Sequence, residues 1–226
     1  MELRGSKALV TGGGTGIGKA IAAALGGAGA AVRIVGRRGT VLGAAAAELG
    51  VEWAQGDISV EADAVRMVEE FVGAHGRIDL LVNNAGVFHR APLVEQDAGG
   101  FEAVWRTNVF GAMLMAREAA RHFVRRGSGN LVNIASTSGL KGDPGSGAYA
   151  ASKFALRGLS ECWRAELRRH NVRVFCICPS EVVLDAARQT PSKLRPKEIA
   201  DALLGALRMD DRGFLPEFAV FATNPF

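Results

Sequence analysis

The stretch Thr11-Gly12-Gly13-Gly14-Thr15-Gly16-Ile17-Gly18 lies between a strand-like run at 7–11 (KALVT) and a helical pattern at 17–28. A glycine-rich turn in that position lets backbone N–H groups come close to a pyrophosphate, and the amino terminus of the helix adds partial positive charge. Glycines can also serve nothing but a tight turn; the order strand, turn, helix is what raises this one to a dinucleotide-binding signal. The rest of the chain must then supply a parallel sheet for the turn to sit on.

It does. Short apolar runs alternate with longer helical patterns: strands at 7–11, 31–36, 51–55, 78–83, 130–135, 172–178 and 214–221, and helices at 17–28, 40–49, 61–75, 101–126, 149–170 and 196–209, the last opened by Pro196. Uniformly apolar strands such as Ile78-Asp79-Leu80-Leu81-Val82 suit a parallel sheet covered on both faces. The predicted fold is α/β: a single Rossmann-type, doubly wound domain over residues 1–226, with a seven-stranded parallel sheet, helices on both faces and ligands at the carboxyl ends of the strands. A chain of 226 residues is near the upper size for one hydrophobic core, so no second domain is expected.

Composition narrows the function. Lys and Arg number 27 against 23 Asp and Glu, a formal +4. The basic pairs Arg125-Arg126 and Arg168-Arg169 end two separate helical stretches, where they complement the negative helix end rather than form a nucleic-acid face. The longest uncharged apolar run, 20–32, is too short and too rich in Gly and Ala to span a bilayer, and the amino terminus shows no signal-peptide pattern. Cys162, Cys176 and Cys178 form neither an even framework nor a Cys-x-x-Cys motif, so a reduced cytoplasmic setting with no metal site is expected. Tyr149 is the single tyrosine beside 11 Phe and 3 Trp.

The spacing T-G-x-x-x-G-x-G, with later motifs in the same order, resembles the short-chain dehydrogenase/reductase family. Those motifs are Asp57 after the third strand, Asn83-Asn84-Ala85-Gly86 after the fourth, Asn108 in the next helix, Ser136 in an I-x-S-x-x-G register after the fifth, and Tyr149-x-x-x-Lys153. The resemblance covers nearly the whole chain. It implies a nicotinamide dinucleotide held by Gly12, Gly14, Thr15, Gly16, Ile17 and Gly18 in the turn and by Asp57 and Ile58 at the adenine. Asn84, Ala85, Gly86, Tyr149 and Lys153 belong to the same binding set, as do Pro179, Ser180 and Val182 after the sixth strand, and Asn83 fixes the fourth strand beside it.

The end of the second strand selects the cofactor. Val35-Gly36-Arg37-Arg38 offers no carboxylate to a ribose 2′-hydroxyl and two guanidiniums suited to a 2′-phosphate, so NADP is expected over NAD. Arg37 stands where NADP-preferring members place a basic residue. After the sixth strand the chain departs from the family. Members commonly have Pro-Gly and then a Thr five residues past the proline; here the stretch is Pro179-Ser180-Glu181-Val182-Val183-Leu184. Leu184 has no hydroxyl for the nicotinamide carboxamide, and Glu181 reads as a solvent-facing carboxylate.

Tyr149 and Lys153 are one helical turn apart and project from one face. An unperturbed tyrosine has a pKa of about 10. An ammonium about 4 Å away, at an effective dielectric of about 20, favours the phenolate by about 4 kcal/mol before desolvation offsets part of it. Tyr149 is therefore expected to act as acid in reduction and base in oxidation. The resemblance assigns the remaining roles: Ser136 bonds the substrate oxygen, Lys153 also holds the nicotinamide ribose, and Asn108 supports a water-linked proton relay. The activity implied is hydride transfer between NADP and a ketone or secondary alcohol, similar to that of 3-oxoacyl carrier-protein reductases.

The alternative from another class is a non-catalytic dinucleotide-sensing protein on the same fold, which would tolerate loss of the proton-transfer residues. The expected substrate is a small carbonyl or alcohol compound, free or carrier-linked, with Arg125, Arg126, Arg168 and Arg169 as candidate docking charges for an acidic carrier. Residues 184–195 are expected to form a short substrate lid. The apolar surfaces of helices 101–126 and 149–170 and of the tail 218–226 point to a homotetramer or homodimer, with no nucleic-acid or membrane partner.

Overall fold

A computed structural model describes residues 1–184, 190, 192–210 and 212–223. Of the lid expected at 184–195, residues 185–189 and 191 lie outside the described residues, as do 224–226 of the tail. Seven strands, β1 (Lys7–Thr11), β2 (Ala31–Gly36), β3 (Glu52–Gln55), β4 (Leu80–Asn83), β5 (Gly129–Ile134), β6 (Val172–Pro179) and β7 (Glu217–Val220), form one sheet. Its order is β3-β2-β1-β4-β5-β6-β7, and every neighbouring pair is parallel.

Parallel neighbours cannot be joined by tight turns, so helices carry the crossovers. These are α1 (Gly16–Gly27), α2 (Gly39–Leu49), α3 (Glu61–His75), α4 (Ala98–Trp105), α5 (Ala112–Arg126), α6 (Gly147–Leu167) and α7 (Pro196–Leu207). Among the described residues no helix is long and apolar enough to cross a membrane.

Alternate strand residues feed two apolar layers. Ala8, Val10, Leu80, Val82, Phe175 and Ile177 pack with Ile21 and Leu25 of α1 and Ile199 and Leu203 of α7. Leu9, Leu81, Leu131 and Val174 pack with Met67 and Phe71 of α3 and Leu114 and Phe123 of α5. Successive residues are thus buried on opposite faces, which is why the strands read as unbroken apolar runs. The sheet is covered on both sides as predicted. Its winding reverses between β1 and β4, and the crevice at their carboxyl ends is where open α/β sheets bind ligands.

Several element ends differ from the sequence reading. The helix expected unbroken over 101–126 opens into a π-helical turn (Arg106–Gly111) between α4 and α5. One extra residue per turn leaves no mark in a hydrophobic period, and such turns frequently carry functional residues. The strand expected at 214–221 begins only at Glu217. Pro216 has no N–H for the ladder, although its carbonyl accepts from the Cys176 N–H at 2.9 Å. The helix expected to reach 170 stops at Leu167, and a 3-10 turn (Arg168–His170) closes on Asn171, whose φ of 55° reverses the chain into β6.

Candidate active site

A cleft of about 540 Å³ opens at the carboxyl ends of the strands, with Gly12, Gly14, Thr15, Gly16 and Ile17 forming one wall. Thr11 builds that wall. Its Oγ1 accepts the backbone N–H groups of Asn84 and Ala85 at 3.0 Å each, and the Asn84 side-chain amide donates back to the Thr11 and Gly12 carbonyls at 3.0 and 3.3 Å. The turns after β1 and β4 are stitched together across the switch point. Asn84, Ala85 and Gly86 line the cleft from the second turn. Asn83 points the other way, donating to the Ala112 carbonyl at 2.9 Å and to Asn133 Oδ1 at 3.1 Å, so β4 is fixed to α5 and β5.

Gly18 packs behind the wall rather than in it. A Cβ there would lie 2.4 Å from both the Gly12 carbonyl oxygen and Asn84 Nδ2, so this glycine lets helix and turn meet. Thr15 is the N-cap of α1, yet its side chain accepts no hydrogen bond from the first turn. The first-turn N–H groups therefore remain for an anion, and the cradle fits the pyrophosphate of a dinucleotide.

Arg37 and Arg38 reach the cleft from the end of β2, beside Asp57 and Ile58. The Arg37 side chain is 59% exposed and stands 3.9 Å from Asp57 Oδ2. Asp57 Oδ1 accepts the N–H and hydroxyl of Ser59 at 2.9 and 2.8 Å. A guanidinium held this loosely can turn its fork to a phosphate.

Ser136 follows β5 and caps a 3-10 turn (Thr137–Gly139), its Oγ accepting the Ser138 N–H at 3.1 Å. The turn lies against α6 so closely that a Cβ on Gly139 would come within 2.9 Å of the Lys153 backbone. Tyr149 and Lys153 stand on the first two turns of α6. The Tyr149 ring meets Phe88 edge-on with centroids 4.9 Å apart, and the Ser136 side chain lies beside its phenol. Lys153 is buried; its Nζ donates to the Ile134 carbonyl at 2.8 Å and lies 5.5 Å from the Tyr149 ring centroid.

Asn108 occupies the π-helical turn. Its Oδ1 accepts the Val87 N–H at 2.8 Å, and its Nδ2 donates to the Val87 carbonyl and to Ser152 Oγ, each at 3.0 Å. Gly86 fills the gap to Lys153: a Cβ on it would meet Asn108 Oδ1 at 3.3 Å and Lys153 Nζ at 3.8 Å. The four predicted catalytic residues thus form one contiguous cluster.

The electrostatics correct one expectation. Burial raises the Tyr149 pKa above the ordinary phenol value, and the neighbouring Ser136 side chain offsets only part of the rise. The lowering expected from Lys153 does not arise, because its Nζ is turned to the Ile134 carbonyl. Burial of that ammonium in turn brings its own pKa down to about 8, against the opposing pull of Cys176 and Cys178 beneath it. The resting phenol is protonated at neutral pH.

Beyond β6, Val182 and Leu184 line the cleft, whereas Pro179 and Ser180 do not: Pro179 ends the strand, and the Ser180 N–H donates to the Val220 carbonyl at 2.9 Å. Leu184 lies over the glycine-rich turn, its Cδ2 3.2 Å from where a Gly16 Cβ would be. Glu181 is exposed at the cleft mouth. Sequence reasoning missed Val41, Leu42, Val87, Phe88 and Thr107 on the lining. Phe88 had a signal, an apolar ring two residues past the Gly86 turn.

Arg126 and Arg168 lie at the opposite end of the sheet, and Arg125 and Arg169 engage His122 and His170, so these four are not brought to the rim of the cleft. Cys176, Cys178 and Glu217 place their ligand atoms within 4.8 Å of one another, a grouping that Cys-x-x-Cys spacing does not reveal. The Arg157 guanidinium holds both oxygens of that carboxylate, at 3.1 and 2.6 Å.

Comparison with known proteins places these features in context. The family model for short chain dehydrogenase matches residues 6–195. Sex determination protein tasselseed-2 of Zea mays is 39% identical over 200 residues, which cover 83% of this chain but only 60% of that protein. A 3-oxoacyl-(acyl-carrier-protein) reductase of Chlamydia trachomatis is 32% identical over 210 residues, covering 90% of this chain and 85% of the reductase. Among solved structures, an alcohol dehydrogenase from the archaeon Thermococcus sibiricus complexed with 5-hydroxy-NADP superposes with a TM-score of 0.88 at 26% identity, covering 96% of this chain and 97% of that one.

Proposed function

The chain belongs to the short-chain dehydrogenase/reductase family, and from that premise we propose that it is an NADP-dependent oxidoreductase interconverting a ketone and a secondary alcohol. The observation that carries this reading is the meeting, in one cleft, of a protonated Tyr149 phenol beside Ser136 with an anion cradle and two guanidiniums. When bound, the nicotinamide supplies or accepts the hydride. Gly12, Gly14, Thr15, Gly16 and Ile17 offer the cradle, Arg37 and Arg38 pair with the 2′-phosphate, and Asp57 and Ile58 border the adenine.

In reduction, Ser136 Oγ donates to the substrate oxygen and holds it at the phenol. Tyr149 Oη delivers its proton to that oxygen, and Lys153, whose Nζ donates to the Ile134 carbonyl, would hold the nicotinamide ribose. Asn108 keeps the loop from Gly86 to Phe88 in place and supports the relay that returns a proton from water. Phe88 shields the edge of the phenol.

The substrate class carried over from the Chlamydia trachomatis relative is a 3-oxoacyl compound, free or carrier-linked. The test is steady-state oxidation of NADPH and of NADH with 3-oxoacyl thioesters, with and without a carrier protein, and with diketones, quinones and sugars. NADPH-preferring turnover that Tyr149→Phe abolishes is the expected result. Tight NADPH binding with no carbonyl reduced would instead make the chain a dinucleotide sensor.

We further propose a homotetramer or homodimer in the cytoplasm. The three thiols are unpaired, which fits a reducing compartment. A groove of about 520 Å³ between α5 and α6, lined by Met113, Ala120, Val124 and Trp163, and the exposed Phe101 and Trp105 support self-association. Light scattering showing a monomer would defeat it.

A further inference from the structure

A cavity of about 850 Å³, larger than the cleft, opens at the other end of the sheet. Ser6, Asp79, Gly129, Val172 and Pro216 on its wall mark where β1, β4, β5, β6 and β7 begin. Ligands of this fold class bind at the carboxyl ends of the strands, so this cavity is not a lobe of the site already described. Its volume is within the range of small-molecule sites, roughly 300–1,000 Å³.

Arginine dominates the wall. Two of the guanidiniums are committed elsewhere: Arg212 pairs with Asp210 at 2.8 Å, and Arg173 is bonded to Asn130 Oδ1 at 2.9 Å and to the Leu207 and Met209 carbonyls. Arg4, Arg77, Arg126, Arg164 and Arg168 remain, against Glu2 and Asp79 as the acids among the described lining residues. The carboxyl ends of α3, α5 and α6 border the cavity and bring about −0.5 charge each. That halves the excess positive charge without cancelling it, so helix-end capping does not account for these arginines.

Their geometry divides them into two kinds. Asp79 fixes Arg77 and Arg126, and Arg164 is pinned by the Val174 and Pro216 carbonyls at 3.1 and 2.8 Å, with no carboxylate on it among the described residues. Arg4 and Arg168 are exposed, and their side chains engage no group among the described residues. Like charges gathered round a concavity focus potential into it.

We infer that this cavity binds a compact polyanion carrying two or more phosphate groups. Arg126 and Arg164 are the fixed forks of the site, and Arg4 and Arg168 are arms that fold onto the ligand. The shared chemistry is a chain of phosphates, either inorganic or attached to a nucleoside.

Calorimetric titration of the whole chain with inorganic tripolyphosphate, and separately with ATP, tests it on three proteins: wild type, the double variant R4E/R168E, and R37E in the cleft. An anion should bind in addition to any that the cleft takes, more weakly as salt rises, and this binding should weaken at least about tenfold in R4E/R168E and persist in R37E. The tighter of the two ligands identifies the source of the phosphates. Should the double variant fold poorly, R168Q alone must still weaken binding. The inference is overturned if neither anion binds, if R37E abolishes binding while R4E/R168E retains it, or if an acidic carrier protein binds where neither small anion does. Because the R37E arm reports on the cleft, failure here and failure of the oxidoreductase reading are separately visible.

Discussion

Replacing Lys153 by methionine should remove carbonyl reduction and, at the same time, change how stability depends on pH. The ammonium has a pKa of about 8 in the folded chain against 10.5 when unperturbed, because burial penalises its charge. That difference corresponds to about 3 kcal/mol of destabilisation at pH 7. The folded value is the lower one, so the unfolded chain binds more protons between the two. The penalty is complete below pH 8, shrinks as pH rises toward 10.5 and vanishes above it.

Methionine escapes the penalty but leaves the Ile134 carbonyl without its donor, a loss of about 1–3 kcal/mol. The net change at neutral pH is therefore small, and the slope is the diagnostic. At pH about 9.5 the wild-type penalty is down to about 1 kcal/mol, so the stability difference between the proteins should move by about 2 kcal/mol toward wild type between neutral pH and there. Urea denaturation followed by tryptophan fluorescence at both pH values measures this, and other titrating groups cancel between the two proteins. A difference that stays constant with pH, or moves the opposite way, would refute a buried, destabilised ammonium at Lys153.

Three further outcomes are expected. Gly18→Ala drives a methyl into the Gly12 carbonyl and Asn84 and should destabilise by about 1–3 kcal/mol with weaker dinucleotide binding, whereas Gly73→Ala in α3 meets nothing within 4 Å and should stabilise by about 0.5–1 kcal/mol; urea melts of the pair give the two signs. Tyr149 is the only tyrosine, so the tyrosinate absorbance of the folded protein should appear only above the ordinary phenol pKa, and Tyr149→Phe should lose it together with about 10²–10⁴ in kcat. Arg37→Ser should cut the preference for NADPH over NADH by about 10–100-fold, read from the ratio of kcat/KM values.

The parallel sheet was legible because strands buried on both faces leave continuous apolar runs, and the glycine-rich wall because strand, turn and helix adjoin in sequence. What escaped depended on direction and on long-range assembly. Spacing put Tyr149 and Lys153 on one helix face, but only the fold shows Nζ turned to the Ile134 carbonyl, which removes the expected lowering of the phenol. Periodicity could not see the π-helical turn that aims Asn108 at Val87. The arginines of the lower cavity are scattered from Arg4 to Arg212, and each reads singly as a helix-end or loop charge. Only the common starting edge of five strands gathers them.

The bonds that Thr11 makes with Asn84 and Ala85, and that Asn84 returns to Thr11 and Gly12, join two halves of the chain about 70 residues apart. They run between groups of the protein itself. A dinucleotide therefore meets a finished mould, and the ordering that recognition would otherwise require is completed when the chain folds. Discrimination between ligands is left to the side chains around the mould's rim, so exchange of cofactor preference should need changes at Arg37 and Arg38 and none in the turn itself.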